Sequence, residues 1–273
     1  MFSKKSDIPP GKNNIEAWWD CRTCGTQFAQ SSKYTPSYFN EIESIRYALE
    51  PYIHSFAQFT RYHGKKVLEV GVGAGTDFLQ WARAGALAYG IDLAQESIEH
   101  ARIRLEQEKL RAVELRKGDA EAIDFPSDFF DLVYSWGVIH HSPDTPKALG
   151  EIVRVTKPGG EIRVMIYNRH SITALMVWLR RCVLAGRPWH SLSYAIANYV
   201  ESPGTKAYTR REAISLLASL PVDEIDVQSI LTWCDMATNS RSRLLKAFHR
   251  MLCRIGGNRA GWFLLLKAKK KHT

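Results

Sequence analysis

From Lys65 onward, short apolar runs alternate with amphipathic stretches. Residues 67–70 read as a buried strand, residues 77–84 as a short helix ending near Gly85, and residues 86–91 as a second strand. Residues 97–110 have helical periodicity, with Ile98, Ala101, Leu105 and Leu110 on one side. Strands are predicted again at 112–116, 131–135 and 161–167. Between the last two, Ala148, Ile152 and Val155 mark a helix closed by Lys157-Pro158-Gly159-Gly160. Strand and helix alternating at this rhythm predict a parallel sheet with helices on both faces.

The flanks follow other patterns. Residues 1–35, rich in Lys, Ser, Asn and Gly and without clear periodicity, read as a loosely ordered arm. Thr35-Pro36 is a helix start, with Thr as cap and Pro in the first turn. Phe39, Ile42, Ile45, Leu49, Ile53, Phe56 and Phe59 then recur at steps of three and four, with a break expected at Pro51. After Tyr167, residues 170–206 are rich in Trp, Leu and Arg and read as an inserted helical lid. Strands are expected at 225–232 and 262–267, separated by a basic amphipathic helix. The expected architecture is α/β: an open seven-stranded, mostly parallel sheet with its last strand antiparallel. The expected units are an N-terminal arm and cap (1–64), a core (65–167), a helical insert (168–222) and a C-terminal part (223–273).

Composition narrows the partners. The 273 residues carry a net charge of +9, but from Met236 onward ten are Lys or Arg and none is acidic. The rest of the chain is nearly neutral, so a nucleic-acid footprint is not expected. The five cysteines are scattered and no apolar signal core occupies residues 1–10, which favours reduced thiols and a cytoplasmic setting. Cys21 and Cys24 form one C-x-x-C pair, which supplies two of the four ligands zinc needs, so no metal is expected.

The candidate chemistry lies in the turn after the first strand. Gly71, Gly73 and Gly75 are spaced G-x-G-x-G, with Asp92 at the end of the second strand, where a carboxylate can hold both ribose hydroxyls. A pyrophosphate would sit on the helix N-terminus. Here Glu69 precedes the turn and Asp77 follows it, and two carboxylates oppose a dianion. They suit a ligand carrying an ammonium and a sulfonium.

The stretch resembles motif I of class I S-adenosylmethionine-dependent methyltransferases, which have a Rossmann-like fold. Further matches follow in the family's order. They are Gly90-Ile91-Asp92-Leu93, then Gly118-Asp119-Ala120, then Phe130-Asp131-Leu132-Val133 leading to Trp136-Gly137-Val138-Ile139-His140-His141. The resemblance covers roughly residues 65–167. It implies that Glu69, Gly71 and Gly73 face the methionine part of S-adenosyl-L-methionine and Asp92 the ribose, with Gly75 and Leu93 also among the cofactor-binding residues. Asp119 and Ala120 would meet the adenine, and Ser135 and Trp136 would line the crevice floor. The implied activity is methyl transfer to oxygen or carbon of a small aromatic, quinone-like or lipid acceptor. A non-catalytic binding protein would carry the same residues, and Glu69 and Asp77 argue against a nicotinamide enzyme. The Asn/Asp-Pro-Pro-aromatic motif of nucleic-acid amino-methyltransferases is absent.

A base is needed where the acceptor must lose a proton. His140 and His141, after the fourth strand, are the first candidates, and Tyr167 and His170 the second. The tryptophans of the arm are expected over the active-site mouth. In the basic helix, Leu244, Leu245, Phe248, Met251, Leu252 and Ile255 share one face, with Arg241, Arg243, Lys246, Arg250 and Arg254 around it. Such a helix either docks on the domain or meets a membrane peripherally. Neither the acceptor nor the oligomeric state is legible.

Overall fold

A computed structural model describes residues 11–236 and 242–272. The first ten residues of the expected arm, and Arg241 in the basic helix, lie outside the described residues. Seven strands form one sheet: β1 (Lys66–Val70), β2 (Leu87–Asp92), β3 (Glu114–Lys117), β4 (Phe130–Trp136), β5 (Thr156–Tyr167), β6 (Val222–Ile230) and β7 (Phe263–Lys270). Their order is β3-β2-β1-β4-β5-β7-β6. β1 to β5 pair in parallel, and β7 lies antiparallel between β5 and β6. Strand order reverses at β1 and β4, which places the crevice where their carboxyl ends diverge.

The helices α4 (Thr76–Arg83), α5 (Gln95–Gln107) and α6 (Thr145–Val155) connect these strands. One apolar layer packs Trp81, Phe78, Leu132 and Tyr134 together, and the other packs Leu68, Val133, Ile152 and Val164. Thr35 caps α2 (Pro36–Leu49), its hydroxyl accepting from the Tyr38 N–H at 3.3 Å. Pro51 separates α2 from α3 (Tyr52–Ala57).

Some elements differ from the sequence expectation. The arm contains a helix, α1 (Lys12–Cys21), in which only Ile15 is buried. Ion pairs hold it: Lys12 to Asp119 at 2.6 Å, and Lys117 to Glu16 at 2.5 Å. Tertiary charge contacts thus supply what apolar periodicity does not. Lys157-Pro158-Gly159-Gly160 does not close α6 as a loop but is the beginning of β5, with Phe130 opposite Thr156 and an irregular register before Leu132. β3 starts two residues later than expected. After β5 come α7 (Ile172–Trp178), a π turn (Leu179–Val183) and α8 (Leu192–Tyr199). The next helix, α9 (Arg210–Ala218), packs on β6, with Ala213 and Leu217 in the same core as Val222 and Val227. α10 (Arg243–Gly256) lies between β6 and β7.

Candidate active site

The β1–α4 turn is shaped by steric need. Gly71, Gly73 and Gly75 all have positive φ, at 83°, 51° and 74°. A Cβ on Gly71 would stand 2.2 Å from Val138 Cγ2, and one on Gly75 would stand 2.7 Å from the Ala101 backbone. A Cβ on Gly73 would meet nothing within 4 Å; it would project into the cavity that this turn borders. The turn is a cradle whose floor must stay bare.

One cavity runs from this turn to α1, whose Ile15 and Trp19 line it. Glu69, Gly71, Gly73, Asp92, Leu93, Asp119, Ala120, Trp136, His141 and Tyr167 all line it. Asp92 accepts from the Gly73 N–H at 3.0 Å and the Ala94 N–H at 2.9 Å, yet burial pushes its carboxyl up to about 6. Glu69 is buried and accepts from Trp81 Nε1 at 2.8 Å; burial, then Asp77, hold its carboxyl well above the usual range. A neutral carboxyl there becomes a carboxylate when a cation arrives. The donor set therefore fits the ammonium and ribose of S-adenosylmethionine.

Asp77 plays another part than expected. Arg46 donates to both of its oxygens, at 3.0 and 2.6 Å, and the hydroxyls of Tyr47 and Tyr134 donate at 3.1 and 3.0 Å. Its charge is already matched, so the preference for a cation rests on Glu69 and Asp92.

Four predicted site residues do not line the cavity. Ser135 is fully buried and donates to the Val70 carbonyl at 3.0 Å. Successive strand residues face opposite ways, so Trp136 can line the cavity and Ser135 cannot. Gly75 faces α5, where it permits close helix packing. His140 is fully buried, its ring tilted against those of His141 and Tyr167 with centroids 4.2 and 4.0 Å away, and neither ring nitrogen has a hydrogen-bond partner among the described residues. Burial holds it neutral, well below the usual imidazole range. His170 follows Asn168, whose Oδ1 accepts its N–H at 3.0 Å; it does not line the cavity.

Aromatic side chains also line this cavity, Trp19, Phe28, Trp233, Trp262 and Phe263, with Trp262 and Phe263 stacked on Tyr167; they make it an aromatic chamber. Trp19 comes from α1 and meets His141 edge-on at 5.1 Å. Into this chamber comes Glu201, which sequence reasoning misses. It holds φ 48°, unusual for a residue with a side chain. Glu201 Oε2 accepts from the Tyr167 hydroxyl at 2.7 Å and lies 3.2 Å from His141 Nε2. His141 Nδ1 lies 2.8 Å from Ser202 Oγ. The run Glu201-Ser202-Pro203-Gly204-Thr205 carries turn chemistry that could have drawn attention to it. Glu50, also missed, accepts from Trp136 Nε1 at 3.1 Å and is pushed by burial up to about 7. Cys24 opens to the chamber but is enclosed by protein, and burial pushes its thiol up to about 12. It is no thiolate at neutral pH.

Among the described residues, His140, His141 and Glu201 could offer ligand atoms to a metal, all within 4.8 Å of one another. Cys21 and Cys24 gather no further ligand among those residues.

Comparison with known proteins gives consistent matches over part of the chain. Residues 68–164 match the model of a methyltransferase domain. The chain is 36% identical over 103 residues to phosphatidylethanolamine N-methyltransferase of Cereibacter sphaeroides, covering 37% of this chain and 50% of the relative. It is 34% identical over 114 residues to ubiquinone biosynthesis O-methyltransferase of Thiobacillus denitrificans, covering 41% and 49%. The match thus spans about half the length of these relatives. A solved structure of Haemonchus contortus phosphoethanolamine N-methyltransferase 2, with phosphomonomethylethanolamine and S-adenosylhomocysteine, superposes with a TM-score of 0.62 at 18% identity, over 94% of this chain and 60% of that one. That likeness extends the shared fold beyond the matched domain.

Proposed function

We propose that this chain, whose residues 68–164 form a class I S-adenosylmethionine-dependent methyltransferase domain, methylates oxygen or carbon of a small aromatic, quinone-like or lipid acceptor. One observation carries the reading: the glycine turn, Asp92 and Asp119 border the same cavity as the aromatic chamber. A cofactor half and an acceptor half meet in one enclosure. The two relatives differ in acceptor but share methyl transfer, which supports the reaction class and leaves the acceptor to the chamber.

Bound S-adenosylmethionine supplies an electrophilic methyl group on positively charged sulfur. Asp92 holds the ribose hydroxyls, Glu69 faces the ammonium, and Asp119 accepts from the adenine amine. Lys12 pairs with Asp119 but also with Glu121, at 2.7 Å, so it keeps a partner when Asp119 turns to the ligand. The aromatic walls exclude water and align a flat or apolar acceptor.

His141 is the base for an acceptor hydroxyl, because it borders the cavity and His140 does not. The Ser202 and Thr205 hydroxyls, 2.8 and 3.1 Å from Nδ1, orient the ring; Nε2 takes the proton, and the Glu201 carboxylate 3.2 Å from it stabilises the imidazolium that forms. Tyr167 fixes Glu201. Burial and then Glu201 hold its phenol well above the usual range, so it stays protonated.

The test is calorimetric titration with S-adenosylhomocysteine for the wild type and Asp92→Ala, followed by S-adenosylmethionine consumption with catechol, quinol and amine acceptors. Binding lost in the variant, together with turnover of a hydroxyl acceptor, is the expected result. Turnover of amines alone would overturn the acceptor class. Binding without any turnover would favour the sensor reading, and no binding would sink both.

A further inference from the structure

α10 is attached to the domain by the side that carries His249 and Cys253, with Leu252 half-buried beside them. His249 is buried, its Nδ1 2.7 Å from the Asp235 carbonyl oxygen, and Cys253 Sγ lies 3.7 Å from the same oxygen. The Asp235 carboxylate is itself pinned, accepting from the N–H groups of Thr173 and Trp262 at 3.1 and 2.8 Å. This network fixes the rotation of the helix about its axis. The consequence is an apolar stripe turned outward: Leu244 is 85% exposed, Phe248 42%, Met251 48% and Ile255 77%. Steps of four, three and four residues keep the four side chains within about 60° of arc. Isolated exposed apolar residues need no explanation, but a continuous row of four on one helix marks a contact surface.

Beside the stripe runs a basic ridge. Arg243, Arg250 and Arg254 are exposed and occupy about 40° of arc along one flank. No acidic residue occurs from Met236 to the end of the sequence. α10 has 14 residues, and no helix among the described residues is long and apolar enough to cross a membrane. A short helix with an apolar stripe edged by arginines lies in a bilayer surface rather than through it.

We propose that α10 is a docking surface for anionic lipid, with the stripe in the acyl boundary and the arginine ridge among the headgroup phosphates. A second copy fits the surface less well. A symmetric pairing through α10 would bring two arginine ridges together with no acidic residue on the segment to offset them. The proposal does not rest on the methyl-transfer reading. It has a bearing on it, since α10 packs on α7, whose Thr173 borders the cavity, so docking would bring that cavity near the lipid surface.

The experiment is flotation of the full chain with vesicles of phosphatidylcholine alone or mixed with phosphatidylglycerol, at low and high salt. The chain is expected to float with the anionic vesicles and to bind neutral ones, or anionic ones in high salt, at least about tenfold more weakly. Leu244→Ser/Ile255→Ser and, separately, Arg243→Gln/Arg250→Gln/Arg254→Gln should each weaken binding about tenfold. All five positions are exposed, and circular dichroism checks that the variants fold. Wild-type protein that stays with the soluble fraction overturns the proposal, as does an apolar double variant that binds like wild type. So does a concentration-dependent dimer, abolished by Leu244→Ser/Ile255→Ser, in protein that ignores vesicles.

Discussion

Asp92 makes the cofactor reading testable through pH alone. Burial raises its carboxyl to about 6, against two backbone N–H donors that favour the charged form. A ribose donating its hydroxyl hydrogens requires the carboxylate, so ligand binding should release a proton. With a pKa near 6, about 90% of the sites are charged at pH 7 and about 10% at pH 5. The affinity for S-adenosylhomocysteine should therefore fall about tenfold, or ~1.4 kcal/mol, between those values. Asp92→Asn removes the titration: its affinity is lower throughout, by about tenfold to a hundredfold at pH 7 for one lost charge-assisted hydrogen bond, and should vary less with pH.

The same shift sets a stability trend of opposite sign in the empty protein. A carboxyl whose folded pKa is raised binds its proton more tightly in the folded state. The burial penalty is absent below the unfolded value near 4, grows as pH rises towards 6, and reaches ~3 kcal/mol above it. Asp92→Asn should thus lose less stability between pH 4 and pH 7 than the wild type, as read by thermal unfolding. Calorimetric titrations at pH 5, 6 and 7 on both proteins provide the affinity test. Glu50, pushed by burial up to about 7, shares the cavity and titrates too, so the informative quantity is the difference in slope. A wild-type affinity flat from pH 5 to 7, or an identical slope in Asp92→Asn, would refute the reasoning.

Other perturbations separate the parts of the site. Gly71→Ala forces a methyl group to 2.2 Å from Val138 at φ 83°; binding of S-adenosylhomocysteine should weaken about fivefold to thirtyfold in calorimetry, the equivalent of about 1–2 kcal/mol of backbone strain. Glu201→Gln should lower kcat with a hydroxyl acceptor by about a hundredfold while S-adenosylhomocysteine affinity stays within about twofold. An unchanged kcat would remove Glu201 from the mechanism. His140→Leu deletes two unpartnered ring nitrogens, so stability should hold or rise by up to ~1 kcal/mol in denaturant unfolding, with more than half of the turnover kept. A collapse of turnover there would return the base role to His140. Arg46→Met leaves buried Asp77 with tyrosine hydroxyls alone and should cost about 3–5 kcal/mol, seen as a lower unfolding midpoint.

What was legible in the sequence divides by the range of the forces involved. Gly71 and Gly73 need positive φ because of their immediate turn, and Asp92 ends a strand whose apolar run is visible, so local pattern suffices to find them. The parallel strands follow from the same period. Strand ends are harder: β5 starts at Thr156 because Phe130 pairs with it across the sheet, which no local glycine signal reports. The chamber is less legible still, since Trp19, Glu50, His141, Glu201 and Trp233 converge from five separated segments. Ser135 and Trp136 are equally apt neighbours until strand pleat sends one inward and the other to the cleft. α10 shows the deepest limit. Periodicity identifies its apolar face, but which face meets the domain is decided elsewhere, by the Asp235 carbonyl that holds His249. A hydrophobic stripe in a sequence therefore specifies a surface to be covered, and only the anchoring contacts determine whether the protein itself or an external partner covers it.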